Sequence, residues 1–392
     1  MRFKTGASVL PVIVISQACC VSLWFAGNAV MENLVLHFKL SEGALAYITS
    51  SVQLGFILGT LVFSIFMIAD RLPPSKLFFI AALAGALLNG LIVVGHQNLV
   101  SLLLFRFLTG FCLAGIYPVG MKIAADHYDN RLGKALGFLV GALVLGTALP
   151  HLLKDILRDL NWKYTLVSTS VLALSGGLLM LIFVSNGPYR KPGSKTDFSA
   201  FRKIFGNKEL SAASFGYFGH MWELYAFWAF VPFMLRHYQN SHPSANLNVS
   251  LLSFCIIGVG AFSCVAGGML SYRFGTKRIA AASLLSSCIC CIVSPVIFIF
   301  GNEWVLVAFL LFWGLTVIAD SPLFSTLVAQ NVQPEFKGTA LTLITCIGFS
   351  ITILSIQLMG YLAGRLNPGY IFTILSIGPI LGIIAMTKSG KR

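Results

Sequence analysis

Charge is what this sequence has least of. Only 10% of its 392 residues are charged and 57% are hydrophobic. A mean hydropathy of +0.85 excludes a single soluble domain, whose core could not hide so much apolar surface. Lipid is therefore the solvent for most of the chain. Acids are scarcer than bases: 13 Asp and Glu stand against 27 Lys and Arg, a formal charge of +14. In a soluble protein that surplus would suggest nucleic acid. Here the bases lie in short loops rather than on one aromatic-interleaved face, which argues against such a partner. The nine cysteines, at 19, 20, 112, 255, 264, 288, 290, 291 and 346, all fall in apolar runs, where they behave as small apolar side chains. No disulfide framework or zinc spacing follows from them, and no cofactor is expected. Arg2 and Lys4 precede an apolar run that reaches Ala26 without a small-residue cleavage site, so it reads as a retained first helix.

What is plentiful is apolar sequence in bilayer-sized lengths. A hydrocarbon core of about 30 Å takes roughly 20 helical residues. Twelve such segments are expected: 8–30, 44–69, 77–95, 99–124, 134–154, 164–185, 210–235, 249–270, 279–300, 304–329, 339–361 and 369–387. With the N-terminus inside, nineteen of the basic residues fall on the cytoplasmic side. Six (Lys39, Lys154, Arg158, Lys163, Arg236 and Arg365) fall on the other, and Arg106 and Lys122 lie within the fourth segment. The positive-inside rule then places both termini in the cytoplasm. Short loops favour a bacterial inner membrane, and the sequon at Asn248 reads as chance.

The longest polar interruption follows the sixth segment. It divides the chain into an N-terminal six-helix bundle (1–185), a cytoplasmic linker (186–209) and a C-terminal six-helix bundle (210–392). Internal repetition supports the division. The turn after segment two, Ala69 to Lys76, is short and basic, as is the turn after segment eight, Ser271 to Arg278. Arg131 to Gly137 after segment four is echoed by Phe336 to Leu341 after segment ten. The expected fold is an all-α membrane protein of twelve transmembrane helices in two pseudo-symmetric six-helix bundles.

These motifs resemble the major facilitator superfamily over nearly the whole chain. Its signature after helices two and eight, G-x-x-x-D-R-x-G-R-[RK], is matched in the second copy by Gly268, Arg273, Gly275 and Lys277, with Tyr272 in place of Asp. The first copy keeps Asp70 and Arg71 but has Phe66 and Pro73 for its glycines. Arg106 and Gly110 match the helix-four pattern. The Gly-Pro pair of drug antiporters is missing from the ladder Gly137, Gly141, Gly146 and Pro150. Three stretches, Arg106 to Lys122, Gly216 to Pro232 and Ala319 to Ser325, resemble a bacterial branch labelled nitrate/nitrite-like or cyanate-permease-like. The resemblance implies that helices one, four, seven and ten line a central cavity, and that Asp70, Arg71, Gly268, Arg273, Gly275 and Lys277 serve an inner gate.

An ionisable side chain at mid-membrane costs about 2.5–3.5 kcal/mol on insertion scales, so each one there calls for a partner or a task. Arg106 reads either as an anion clamp, through its bidentate fork, or as half of an ion pair with Glu223 or Asp320. His220 and Glu223, three apart on one face of segment seven, read as a proton-coupling pair or a packing pair. Asp320, just before Pro322, is a second proton carrier or an interhelical hydrogen-bonding group. Lys122 is expected to snorkel to the headgroups, and His151 to be solvated at the outer end of segment five. Gln17, Trp24 and Asn28 share a face of segment one. With Arg106, Tyr117, His220, Trp222 and Trp313 they form the expected substrate-binding set.

These features predict a secondary active transporter, not an enzyme. It would work by alternating access on a small anionic or zwitterionic solute with proton coupling, as a monomer surrounded by membrane lipid. Proton-driven export of a metabolite, siderophore or drug-like amphiphile is the alternative.

Overall fold

The computed structural model describes residues 6–41, 43–128, 132–190, 207–333 and 336–388, and all of the described regular structure is helical apart from one bridge residue, Val184. The chain divides into two compact units, Met1–Lys195 and Thr196–Arg392. Most of the expected linker, 191–206, lies outside the described residues, as does Arg131 in the second repeated turn.

The first unit runs α1 (Gly6–Val21), α2 (Ala26–Ala29), α3 (Met31–Phe38), α4 (Ala44–Ile65), α5 (Ile68–Arg71), α6 (Pro74–Leu91), α7 (Leu99–Leu113), α8 (Tyr117–His127), α9 (Leu132–Ile156) and α10 (Lys163–Phe183). In it α4 packs on α7, α1 lies against α9 and α10, and α6 bridges α7 and α10. The second unit runs α11 (Lys208–Ser241), α12 (Val249–Gly258), α13 (Gly260–Phe274), α14 (Thr276–Phe300), α15 (Glu303–Ala319), α16 (Ser321–Gln330), α17 (Lys337–Ala363), α18 (Pro368–Ile371), a 3-10 turn (Phe372–Ser376) and α19 (Ile377–Lys388). There α11 is flanked by α17 and α19, and α15 packs on α12, α13 and α14.

Helices pass through every segment expected from the sequence. Among the described residues, ten stretches are long and apolar enough to cross a membrane. The two remaining segments fall short for physical reasons. The apolar part of α1, Val9–Val21, is short because the chain leaves helical geometry at 22–25. The 34-residue α11 is long enough, but Ser214, Tyr217, His220 and Glu223 dilute its hydropathy.

Several spans are broken, and proline explains two of the breaks. Pro118 lacks an N–H and its ring clashes with the carbonyl four residues back, so α7 ends at Leu113 and α8 begins at Tyr117. Pro322 does the same between α15 and α16, leaving Asp320 at the junction. The register of these spans repeats. Gly110 stands eight residues before Pro118, and Gly314 eight before Pro322. A Cβ on Gly110 would strike the carbonyl of Val52 in α4, and one on Gly314 would strike that of Ile256 in α12. Each glycine admits the same close helix–helix approach in its own unit.

Candidate functional site

In the first unit the centre of the site is Arg106, 1% exposed on α7. Its Nη2 donates to the carbonyl oxygens of Leu23 (2.9 Å) and Trp24, and its Nη1 to Oδ1 of Asn89 at 3.1 Å. The helix break at 22–25 turns main-chain carbonyls away from regular pairing, and the guanidinium satisfies them as a cap would. Asn89, fully buried on α6, passes the network on: its Nδ2 lies within hydrogen-bonding distance of Leu166 O, Thr169 Oγ1 and Ser170 Oγ on α10. The expectation that Arg106 clamps an anion or pairs with Glu223 or Asp320 therefore meets a different arrangement. Both terminal nitrogens are engaged by neutral oxygens, and only Nε lacks a partner.

Around it, the segment-one residues separate into bonded and unbonded groups. Trp24 packs its ring on Phe56, 4.8 Å between centroids. Asn28 donates to Thr49 Oγ1 at 2.8 Å, tying α2 to α4, while its Oδ1 has no partner. Gln17 is completely buried and neither amide atom is hydrogen-bonded. Its Oε1 lies against Gly120 of α8, where a Cβ would overlap it. Gln53 on α4, one turn beyond Thr49, is likewise fully buried with both amide atoms unbonded. A buried amide without protein partners is costly, which makes these groups candidates for contact with a solute. Tyr117 sits half-buried at the start of α8, beside the break.

In the second unit, α11 carries two buried centres. Glu223, 0% exposed, accepts hydrogen bonds from Trp313 Nε1 on α15 (2.6 Å) and from Ser287 Oγ (2.9 Å) and Cys291 Sγ (3.3 Å) on α14. All three donors are neutral. One turn earlier, His220 Nδ1 lies 2.8 Å from Oδ1 of Asp320, each residue 1% exposed. The two groups expected to act as a pair, His220 and Glu223, are thus each given to another helix, and the close titratable pair is His220 with Asp320. Trp222 faces elsewhere: its Nε1 donates to Ile374 O at 3.3 Å in the 3-10 turn.

The turns expected to gate show local pairings. Asp70 of α5 pairs with Lys122 Nζ at 2.8 Å, which gives the lysine expected to snorkel a fixed partner, and Arg71 is exposed. Gly275 has φ +90° and Lys277 pairs with Glu209 at 3.2 Å. Arg273 lies over the ring of Phe274, and Gly268 has open space where a Cβ would stand. His151, expected to be solvated, is 2% exposed.

Sequence reasoning missed Gln53, Asn89, Ser287 and the contact of Cys291. The first two carried a readable signal, a lone amide inside an apolar run. The thiol carried none, because only the packing of α14 against α11 brings it to Glu223.

The sequence pattern of the family described as Major Facilitator Superfamily matches residues 13–213 and again 213–389. YyaJ of Bacillus subtilis (strain 168), which bears the name of a metabolite transport protein, is 23% identical over 90% of this chain and 85% of its own length. The uncharacterized transporter YgaY of Escherichia coli O157:H7 is 24% identical over 57% of this chain and 59% of its own. Among solved structures, the proton:xylose symporter XylE bound to 6-bromo-6-deoxy-D-glucose superposes with a TM-score of 0.75 at 14% identity, covering 98% of this chain and 96% of that one. A bacterial homologue of the human lysosomal transporter Spinster, inward-facing and occupied, gives 0.73 at 16%, covering 98% and 97%. None of these names carries the nitrate- or cyanate-like branch.

Proposed function

The chain belongs to the major facilitator superfamily, and from that premise we propose that this multi-pass membrane transporter is a proton-coupled carrier of a small polar metabolite, with Glu223 as the proton-carrying group. The observation that carries the reading is the setting of Glu223: a fully buried carboxyl group whose hydrogen-bond donors, Trp313, Ser287 and Cys291, are all neutral. No fixed cation among those donors locks it in the ionised form. It can be emptied and refilled without breaking an ion pair. His220 and Asp320, one turn away along α11 and in contact with each other, form a second place where a proton can rest.

The solute class follows from what is left unbonded. An anionic or zwitterionic solute was expected because Arg106 and His220 could supply positive charge. Arg106 now has two of its three nitrogens engaged by oxygens of its own unit, and His220 faces a carboxylate. The unpartnered amides of Gln17 and Gln53 and the free Oδ1 of Asn28 favour a solute read by hydrogen bonds, whether or not it also bears charge. The name carried by YyaJ points to metabolites as well.

In this reading the chain crosses a bacterial inner membrane twelve times, in two six-helix bundles with both termini cytoplasmic, and works as a monomer by alternating access. Asp70, Arg71, Gly268, Arg273, Gly275 and Lys277 serve the inner gate. The test is internal pH in proteoliposomes while small anions, amino acids and neutral polyols are added outside. Acidification with one solute establishes proton symport and its class. Alkalinisation establishes exchange, the mode of an exporter. No pH change with any solute, despite counterflow of a labelled one, refutes the coupling.

A further inference from the structure

One cavity in the second unit is lined by neither of the buried carboxyl groups. It lies where three spans end together: the first turn of α14, the last of α16 and the last of α19. Its volume is about 600 Å³. The walls are the apolar side chains of Ala281, Leu327, Ile383 and Met386, the rim carries Lys277 and Arg278, and no acidic residue among the described ones lines it. Arg278 is exposed and has no ion pair among the described residues, whereas Lys277 shares its charge with Glu209 at 3.2 Å. All three ends belong to stretches able to cross a membrane, so the cavity sits at a bilayer boundary.

The corresponding place in the first unit is built differently. It is bounded by the first turn of α6, the last turn of α8 and the chain leaving α10. There it is closed. Gly187 is pressed against the main chain of Asp126, Tyr189 N donates to Asp126 O at 3.0 Å, and Arg190 donates to the carbonyl oxygens of Asp70 and Leu72. The first unit fills this position with its own backbone and an acidic residue. Among the described residues the second leaves it open, basic and apolar-walled, a combination that suits a ligand with a negative head and a hydrocarbon body.

We propose that this groove binds an anionic phospholipid of the cytoplasmic leaflet. Its phosphate would sit between Lys277 and Arg278, and its acyl chains would lie on Leu327, Ile383 and Met386. Basic pockets between spans on the cytoplasmic side attract such headgroups. The leaflet follows from the proposed orientation of the chain, but the binding does not depend on proton coupling or on Glu223.

The experiment is native mass spectrometry of the delipidated full-length protein mixed with equal amounts of dioleoylphosphatidylglycerol and dioleoylphosphatidylcholine. The expected result is preferential retention of phosphatidylglycerol, reduced about fivefold in Arg278→Gln and further in Lys277→Gln/Arg278→Gln. It should be unchanged in Arg71→Gln, which removes an exposed cation from the matching turn of the first unit. Three results would each overturn the proposal: equal retention of the two lipids, an undiminished preference in the double variant, or displacement of the lipid by excess inorganic phosphate, which would assign the site to a free anion.

Discussion

Trp313 donates its indole N–H to Oε1 of Glu223 across 2.6 Å, and both side chains are fully buried. The bond ties α15 to α11 at the level where α14 presents Ser287 and Cys291. It gives the carboxyl group a fixed position that does not depend on its charge. Removing one donor to a buried carboxylate costs about 1.5–3 kcal/mol. Trp313→Phe keeps most of the packing against Phe227 and Phe309 and is expected to slow proton-driven uptake at least tenfold while detergent thermal stability falls by no more than that amount. Unaltered uptake kinetics would remove Trp313 from the proton site.

Arg106 and Gln17 were expected to share one task, and the structure predicts that they separate. Arg106→Gln strands the carbonyl oxygens of Leu23 and Trp24 and the Asn89 amide oxygen, so the protein should lose about 3 kcal/mol or more of stability. Gln17→Leu breaks no hydrogen bond and should be as stable as the parent or more so, yet weaken solute-dependent uptake. Thermal unfolding read beside transport distinguishes the two.

The glycine register gives a paired prediction. Gly110→Ala and Gly314→Ala each drive a methyl group into a facing main-chain carbonyl and should destabilise the protein by about 1–3 kcal/mol each. Gly268→Ala, with nothing within 4 Å of the new methyl, should be near neutral. Midpoints of thermal unfolding in one detergent suffice to rank them.

For the turn after α4, the partner of Asp70 is Lys122. Both side chains are 22% exposed, so a double-mutant cycle with Asp70→Asn and Lys122→Gln should return a coupling of about 0.2–1 kcal/mol. The reversed pair Asp70→Lys/Lys122→Asp should recover part of it. Additive single effects would show that the contact contributes nothing.

Much of this was legible in the sequence. Segment boundaries follow from the bilayer's demand for apolar length, and Pro322 marks a kink beside Asp320, whereas the break before Pro118 was not expected, since Pro150, Pro232 and Pro295 sit inside continuous helices. Arg106, His220, Glu223, Asp320 and Trp313 stand out as polar or amphipathic groups in apolar surroundings. Their partners were not legible, because hydrogen bonds such as Cys291 to Glu223 and Lys122 to Asp70 join residues that only tertiary packing brings together. His220 and Glu223 show the difference well. Three residues apart on a helix, they share a face, but α11 is wrapped by several neighbours, and each side chain meets a different one. The break at 22–25 was also hidden, since no proline or glycine marks it and its carbonyls are satisfied by Arg106 from another helix.

The most direct test of the account is solute flux through Glu223→Gln in proteoliposomes, measured as counterflow of a labelled transported solute and as uphill uptake driven by an imposed pH gradient. Glutamine preserves the shape of the side chain and can still accept the Trp313 N–H, but it cannot carry a proton. Counterflow should stay near the parent rate while uptake driven by the pH gradient is abolished. Gradient-driven uptake persisting in Glu223→Gln would contradict this and would assign the proton to another group.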